Sequence, residues 1–370
     1  MTTTTASPSA VDHDKLMAFV FRAVEEVGAT LNAALVVMGD KLGLYRALAG
    51  AGGLTSGELA ERAGVAERYV REWLNAQAAG GYVEYDPAED RYTLPAEQAI
   101  AFTDEDSPAY LPGLFQVAVG SVLDSPRITE VARSGGGVGW HEHSHDVFDG
   151  TERFFRPGYN ANLASSWLPA LDGVVEKLAR GARVADVGCG HGASTILMAT
   201  TFPRSTFVGS DYHAGSIATA RERARQAGLT GRLGRYPLTV PRIRFETASA
   251  SAFPGVGYDL VTMFDCLHDM GDPVGAARHV RGALAPDGTW MIVEPAAGDR
   301  VEDNLNPVGR AYYAFSTLLC TPSSLAQDVG LALGAQAGEA RIREVVTAGG
   351  FTRFRRAAET PFNIVYEARP

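Results

Sequence analysis

Cysteine is scarce in this chain, with three in 370 residues at positions 189, 266 and 320. All three lie in or near apolar stretches without metal-ligand spacing, so a disulfide framework is not expected and a reducing, cytoplasmic setting is. Long apolar runs are missing as well. None approaches the roughly eighteen residues of a membrane helix, and no membrane partner is expected. Basic charge is short, with 33 Lys and Arg against 43 Asp and Glu and a net charge of −10. That balance disfavours a nucleic-acid backbone as partner. The first thirteen residues lack the basic start and apolar core of a signal peptide and read as a disordered tail, 1–13. What remains, 46% apolar and 21% charged, is the composition of an ordinary globular chain long enough for two or more domains.

The most informative segment is Val184-Ala185-Asp186-Val187-Gly188-Cys189-Gly190-His191-Gly192. Its apolar run suits a strand buried on both faces, and its alternating glycines suit a tight turn that lets the backbone approach a ligand. The following Ala193–Thr201 reads as a helix whose free N–H groups point at that turn. Neither a full G-x-G-x-x-G fingerprint nor a G-x-x-x-x-G-K-[ST] loop is present. Instead Asp186 precedes the turn, and Asp211 follows it in Phe207-Val208-Gly209-Ser210-Asp211-Tyr212. An acid at the end of a second strand can accept both hydroxyls of a ribose, and Tyr212 beside it offers a flat face for a purine.

This combination resembles the cofactor site of class I S-adenosylmethionine-dependent methyltransferases, whose first motif is D-x-G-x-G-x-G. The resemblance spans about residues 180–370 and implies an α/β fold with a Rossmann-like seven-stranded sheet. It implies S-adenosyl-L-methionine as cofactor and S-adenosyl-L-homocysteine as product. Asp186 and the backbone of Gly188, Cys189, Gly190 and Gly192 would hold the methionine end. Asp211 would hold the ribose and Tyr212 the adenine. Ser249 stands where the family has an aspartate for the adenine amino group, with Ala250 and Phe253 beside it, and Asp265 completes the expected cofactor set.

The N-terminal part reads as two apolar helices over Leu16–Leu48, then a capping box at Thr55-Ser56-Gly57-Glu58, a second helix at Ala66–Ala79 and a hairpin around Asp86-Pro87. That order is a winged helix, a module that often binds DNA. Between Thr55 and Leu94, however, four arginines face eight acids. Such a balance cannot displace the counterions of a duplex, so no nucleic acid is expected. Small-molecule O-methyltransferases carry such a module here for dimerisation, and the resemblance extends to it. The organisation expected is a winged-helix dimerisation domain over 14–103, a helical connector roofing the site over 104–177, and the cofactor domain over 178–370, in a homodimer built through the N-terminal domain.

The connector holds His141, His143 and His145 at alternate positions, which on a strand would share one face. Polar loop or substrate contact is the reading preferred to a metal site, and no metal is expected. The aromatic-rich Phe148–Tyr159 follows, so Trp140, His141, His143, Phe154 and Tyr159 are candidate substrate contacts, together with Tyr313 in an apolar insertion, Arg310–Leu333, read as a helix and lid.

A further buried strand, Tyr258–Phe264, ends in Asp265-Cys266-Leu267-His268-Asp269-Met270. Ligands sit beyond the carboxyl ends of such strands, and histidine suits the removal of a hydroxyl proton. Winged-helix O-methyltransferases have Leu-His-Asp-Trp here, with the histidine as general base; in this chain Met270 replaces the tryptophan. By the same resemblance Glu294 would brace His268. More particularly the chain is similar to a group of bacterial, largely actinobacterial, winged-helix methyltransferases. The expected function is methyl transfer to a small, largely apolar acceptor, most simply at a hydroxyl. The alternatives are carbon or nitrogen methylation, non-methylating chemistry on the same fold, or a winged-helix regulator.

Overall fold

A computed structural model describes residues 11–229, 231–233 and 240–370. The expectation for residues 1–10 lies outside these, and the proposed tail ends early, because His13 already opens a helix. The chain divides into two compact units, Met1–Asp104 and Glu105–Pro370, and the connector residues from 105 onward fall in the second.

The first unit runs α1 (His13–Lys41), α2 (Leu44–Leu48), α3 (Ser56–Ala63), α4 (Glu67–Ala79), β1 (Glu84–Asp86), β2 (Arg91–Thr93) and α5 (Ala96–Thr103). Asp12 caps α1 by accepting the N–H groups of Asp14 and Lys15, and the Thr55/Glu58 capping box opens α3. Helix α4 turns Val70, Trp73, Leu74 and Gln77 inward. Trp73 donates to the Leu35 carbonyl at 2.9 Å, and Gln77 is held between the Tyr45 hydroxyl and Asn32. Its outward arginines are paired on the same helix, Arg68 with Glu72 and Arg71 with Glu67. On α1 a stripe of Leu16, Val20, Val24, Val27 and Leu31, with Phe19 and Phe21 flanking it, stays exposed.

The second unit begins with α6 (Pro112–Leu123) and α7 (Ser125–Ser134). A 3-10 turn at Trp140–Glu142 then leads into α8 (His145–Asn162), a π-helical turn at Leu163–Trp167, and α9 (Val174–Arg180). The alternate histidines are therefore not on a strand. Ser144, at φ −64° and ψ 155°, starts a helix with Asp146 in its first turn, where an acid complements the helix dipole.

The sheet region follows with β3 (Arg183–Val187), α10 (Ala193–Thr201), β4 (Thr206–Asp211), α11 (Ala214–Gln226), the short β5 (Arg232–Leu233) and β6 (Val240–Pro241), β7 (Ile243–Thr247) and β8 (Tyr258–Phe264). It closes with α12 (Pro273–Ala283), β9 (Leu284–Pro295), α13 (Pro307–Phe315), α14 (Thr321–Leu325), α15 (Gly338–Ala348), β10 (Arg353–Glu359) and β11 (Asn363–Arg369). Seven strands form one sheet in the order β10-β11-β9-β8-β3-β4-β7, parallel except for β11, which pairs antiparallel with both β9 and β10. This is the α/β, seven-stranded sheet expected, with its terminal hairpin at the edge. Apolar clusters pack both of its faces, and the carboxyl ends of β3, β4 and β8 converge on one cavity.

Helix α8, which forms one wall of that cavity, lies tightly against α6. A Cβ on Gly150 would stand 2.7 Å from the Val117 backbone nitrogen, and one on Gly113 would stand 2.5 Å from that of Phe154. Alanine normally stabilises a helix interior by roughly 0.5–1 kcal/mol over glycine. Gly150→Ala is expected to reverse that sign and destabilise by about 1–3 kcal/mol through overpacking, read as a lower midpoint in urea unfolding.

Candidate active site

The turn after β3 is held from below by Asp186. One of its carboxylate oxygens accepts the hydroxyls of Ser194 at 2.7 Å and Thr195 at 2.5 Å, and the other accepts that of Thr262 at 2.8 Å. Strand β3 is thereby tied to the first turn of α10 and to β8. Gly188, Gly190 and Gly192 have φ of 74°, 51° and 81°, the left-handed region that side chains disfavour. Asp186 is 1% exposed and does not line the cavity. The expectation that it holds a ligand directly is corrected: its oxygens serve the protein's own hydroxyls and position the turn instead.

The cavity has a volume of about 580 Å3. Gly188, Cys189, Gly190, Asp211, Tyr212, Ser249, Ala250 and Asp265 line one side of it. Asp211 accepts the Gly190 N–H at 3.0 Å and the His213 N–H at 2.8 Å, fixing the carboxylate beside the turn. Burial raises the Asp211 carboxyl despite these bonds. The Tyr212 hydroxyl accepts the His141 N–H at 3.1 Å, and burial pushes its phenol up to about 12. Phe253 lies elsewhere, buried edge-on against His279 with centroids 4.5 Å apart. Gly192 also stays off the wall, because Phe245 packs against its Cα.

Opposite the turn, α8 presents Phe148, Thr151, Glu152, Phe155 and Tyr159, joined by Trp140 and His141 from the preceding turn. Sequence reading named only Trp140, His141 and Tyr159 of these. The spacing 148, 151, 152, 155, 159 is one face of a helix, a signal available had the segment been read with helical period. Phe154 points off that face and contacts Phe155 and Phe362 instead. His143 is buried with its Nδ1 2.6 Å from Asp124, away from the cavity. Tyr313 also stays off the wall, where its hydroxyl accepts from Asn304. Residues from α14 and the loop after it, Ser323, Ala326, Gln327 and Asp328, close the far end. Gln327 ties this loop to the segment after β8, accepting the Gly271 N–H and donating to the Asp269 carbonyl.

His268 follows β8, and Glu294 comes from the end of β9. The imidazole Nδ1 lies 2.6 Å from Glu294 Oε2, while Glu294 Oε1 accepts the Leu267 N–H at 3.1 Å. Nε2 lies 3.1 Å from Asp269 Oδ1. His268 is 3% exposed and stands behind Asp269, which lines the cavity. Burial opposes a charged imidazole, but Asp269 and Glu294 outweigh it and hold His268 well above the ordinary histidine range. Cys320 joins this group, its ligand atom within 4.8 Å of those of His268 and Asp269. Such a triplet could hold a metal, and sequence spacing gave no hint of it. Burial pushes the Cys320 thiol up to about 12, so thiol and imidazole both favour the protonated forms that do not ligate.

Residues 30–104 match the Rv2258c-like winged HTH domain, and residues 185–290 match the methyltransferase domain. The chain carries a methyltransferase domain behind an N-terminal winged HTH domain. A trans-aconitate 2-methyltransferase from Variovorax paradoxus is 50% identical over 120 residues, 32% of this chain and 40% of that protein. The curated relatives are matched over only 27% to 40% of their own length. Among solved structures, the mitomycin 7-O-methyltransferase is similar with a TM-score of 0.68 and 19% identity, over 97% of this chain and 100% of that one. An O-methyltransferase of neocarzinostatin biosynthesis, in complex with S-adenosyl-L-homocysteine and 1,4-dihydroxy-2-naphthoic acid, is similar with a TM-score of 0.60 and 18% identity, over 94% and 98% of the two chains. At these identities the likeness is one of fold.

The Asp186 clamp of the methyltransferase domain is directly testable. Asp186→Ala would leave three buried hydroxyls without their acceptor, and it is expected to cost about 3 kcal/mol or more in urea unfolding. Asp186→Asn keeps an acceptor and is expected to cost less.

Proposed function

We propose that this protein transfers the methyl group of S-adenosyl-L-methionine to a hydroxyl of a small, largely apolar molecule, with His268 as general base. The observation that carries the reading is the buried Glu294–His268 pair beside a cavity floored by the glycine turn. The cofactor's parts find suitable partners on the cavity wall. Asp211 suits the ribose, the Tyr212 ring the adenine, Ser249 the adenine edge, and the backbone of Gly188–Gly190 the remainder. When bound, the cofactor supplies an electrophilic methyl group on sulfur.

The protein's own groups then have defined tasks. Asp269 accepts a hydrogen bond from the acceptor hydroxyl, and Nε2 of His268 beside it is the destination of the proton. Glu294 fixes the imidazole with Nδ1 protonated and stabilises the imidazolium that results. Phe148, Phe155, Tyr159 and Trp140 supply apolar surface for the acceptor. Among the described residues no lysine or arginine lines the cavity, whereas Glu152, Asp211, Asp265, Asp269 and Asp328 do. A polycarboxylate such as trans-aconitate is disfavoured by this wall, and a neutral hydroxyl compound is favoured.

The winged helix serves packing, since both α4 arginines are occupied by glutamates. The exposed α1 stripe, Leu16 to Leu31, makes this unit the seat of a homodimer. Light scattering after gel filtration is expected to give twice the mass of one chain. The combined Phe19→Glu, Val24→Glu and Val27→Glu substitutions should return the monomer, and a monomeric wild type would end the dimer reading.

His268→Ala is expected to abolish turnover of a hydroxyl acceptor while leaving S-adenosylhomocysteine affinity within about three-fold. The base must be neutral to act, and its two carboxylate neighbours hold its pKa high. The rate should therefore rise with pH along a limb above neutrality, and Asp269→Asn should move that limb to lower pH. Unchanged turnover in His268→Ala would remove the base assignment.

A further inference from the structure

Cys320 stands in the group around His268 with no task in proton transfer. The residue ends a π-helical turn, Ser316–Cys320, that joins α13 to α14. Such turns interrupt the regular helical ladder and frequently mark functional positions. Its surroundings are apolar, with Val117, Val147, Tyr312 and Leu319 in the same buried cluster. It has no disulfide partner, since all three cysteines are free. One ligand atom each from His268, Asp269 and Cys320 nevertheless lie within 4.8 Å of one another.

The spacing suits a four-coordinate ion. Bonds of roughly 2.0–2.1 Å to a tetrahedral centre set nitrogen and oxygen ligands about 3.3 Å apart. Nε2 of His268 stands 3.1 Å from Asp269 Oδ1. The alignment of a hydrogen bond is missing between them, so this buried oxygen is left open. On its other side the imidazole is already set for ligation. Nδ1 lies 2.6 Å from Glu294 Oε2, and the second oxygen of Glu294 is anchored by the Leu267 N–H. A carboxylate on Nδ1 keeps the proton there and leaves Nε2 to coordinate, the support that metal-bound histidines generally have. Asp269 lines the cavity with its side chain 21% exposed, which gives an ion its way in and a water for the fourth position.

We propose that the imidazole of His268, the carboxylate of Asp269 and the thiol of Cys320 form a site for a zinc-class divalent ion, whose occupancy stops proton removal by His268. The donor set decides the class of ion. Thiolate and imidazole select zinc over magnesium or calcium, which prefer oxygen ligands. In the empty site the thiol and the imidazole both carry protons. Binding forms bonds from the ion to sulfur, nitrogen and oxygen, and it releases the S–H proton and the Nε2 proton to solvent. Exchanging two protons for a dication leaves the charge of the group unchanged, so burial adds no new unpaired charge. The nitrogen lone pair that would receive a substrate proton is the one the ion occupies. That effect on turnover rests on the base assignment above, whereas binding of the ion does not.

The test is an optical titration of the full chain with cobalt(II) chloride, a coloured stand-in for zinc. Cobalt is expected to give the intense visible bands of four-coordinate geometry and a thiolate-to-cobalt charge-transfer band in the near ultraviolet. Zinc chloride should displace it, and magnesium chloride should not. The charge-transfer band should vanish in Cys320→Ser. It should survive in the double variant Cys189→Ser, Cys266→Ser, which keeps Cys320 as its sole cysteine. That double variant decides the matter where Cys320→Ser fails to fold. Saturating zinc is expected to lower turnover of a hydroxyl acceptor by about a hundred-fold or more, the scale of a lost general base, with recovery on chelation. A wild type without the charge-transfer band, or a band that persists in Cys320→Ser, would overturn the site. A cobalt site with its band intact and turnover untouched by zinc would overturn the inhibition and the base assignment while the site stands.

Discussion

Three hydroxyls on one buried carboxylate hold the cavity in shape. Asp186 could satisfy its charge by facing a ligand, but Ser194, Thr195 and Thr262 supply donors from two neighbouring elements. The result is a rigid junction of β3, β8 and α10 from which the glycine turn projects. A turn with three positive-φ residues has little stiffness of its own. Its stiffness comes from the ends, and a backbone meant to meet a ligand closely must be fixed before the ligand arrives.

Carboxylates define the chemistry of the cavity in a second way. Among the described residues five line it, and burial raises two of them, Asp211 and Asp265, toward the neutral form. The arrangement suits a cationic cofactor. His268 sits inside the same field. Asp269 and Glu294 outweigh the burial there and hold its pKa well above the ordinary histidine range.

Much of this was legible in the amino-acid order. The alternating glycines, Asp211 about one strand-helix unit later, and the apolar runs of β3, β4 and β8 follow from periodicity and turn chemistry. So does the capping box at Thr55. The errors share a cause, because side-chain direction was assigned from local spacing alone. His143 has the spacing of a site residue, but helix α8 begins at His145 and leaves it facing Asp124. Phe253 sits next to Ser249 and Ala250 in sequence, but it turns away to meet His279. Asp186 opens the motif and was read as a ligand contact, whereas Ser194 and Thr195, read only as helix, are what it binds. The triplet of His268, Asp269 and Cys320 joins residues fifty apart, and no pattern along the chain announces it.

The terminal hairpin changes meaning in this light. As sequence it marks the edge of the sheet and distinguishes this topology from a dinucleotide-binding one. In three dimensions β11 pairs with β9 so that Ile364 stands opposite Glu294, and Asn363 reaches Asp265 across 98 positions of the chain. The antiparallel return of the last strand is what allows this, since it brings the start of β11 to the carboxyl end of β9, where the parallel strands deliver their functional residues. A parallel final strand would present its last residue there and its first at the opposite end. The edge strand is therefore part of the site's construction, and the left-handed backbone of Asp265 is held from a segment that sequence reading assigned only to the fold.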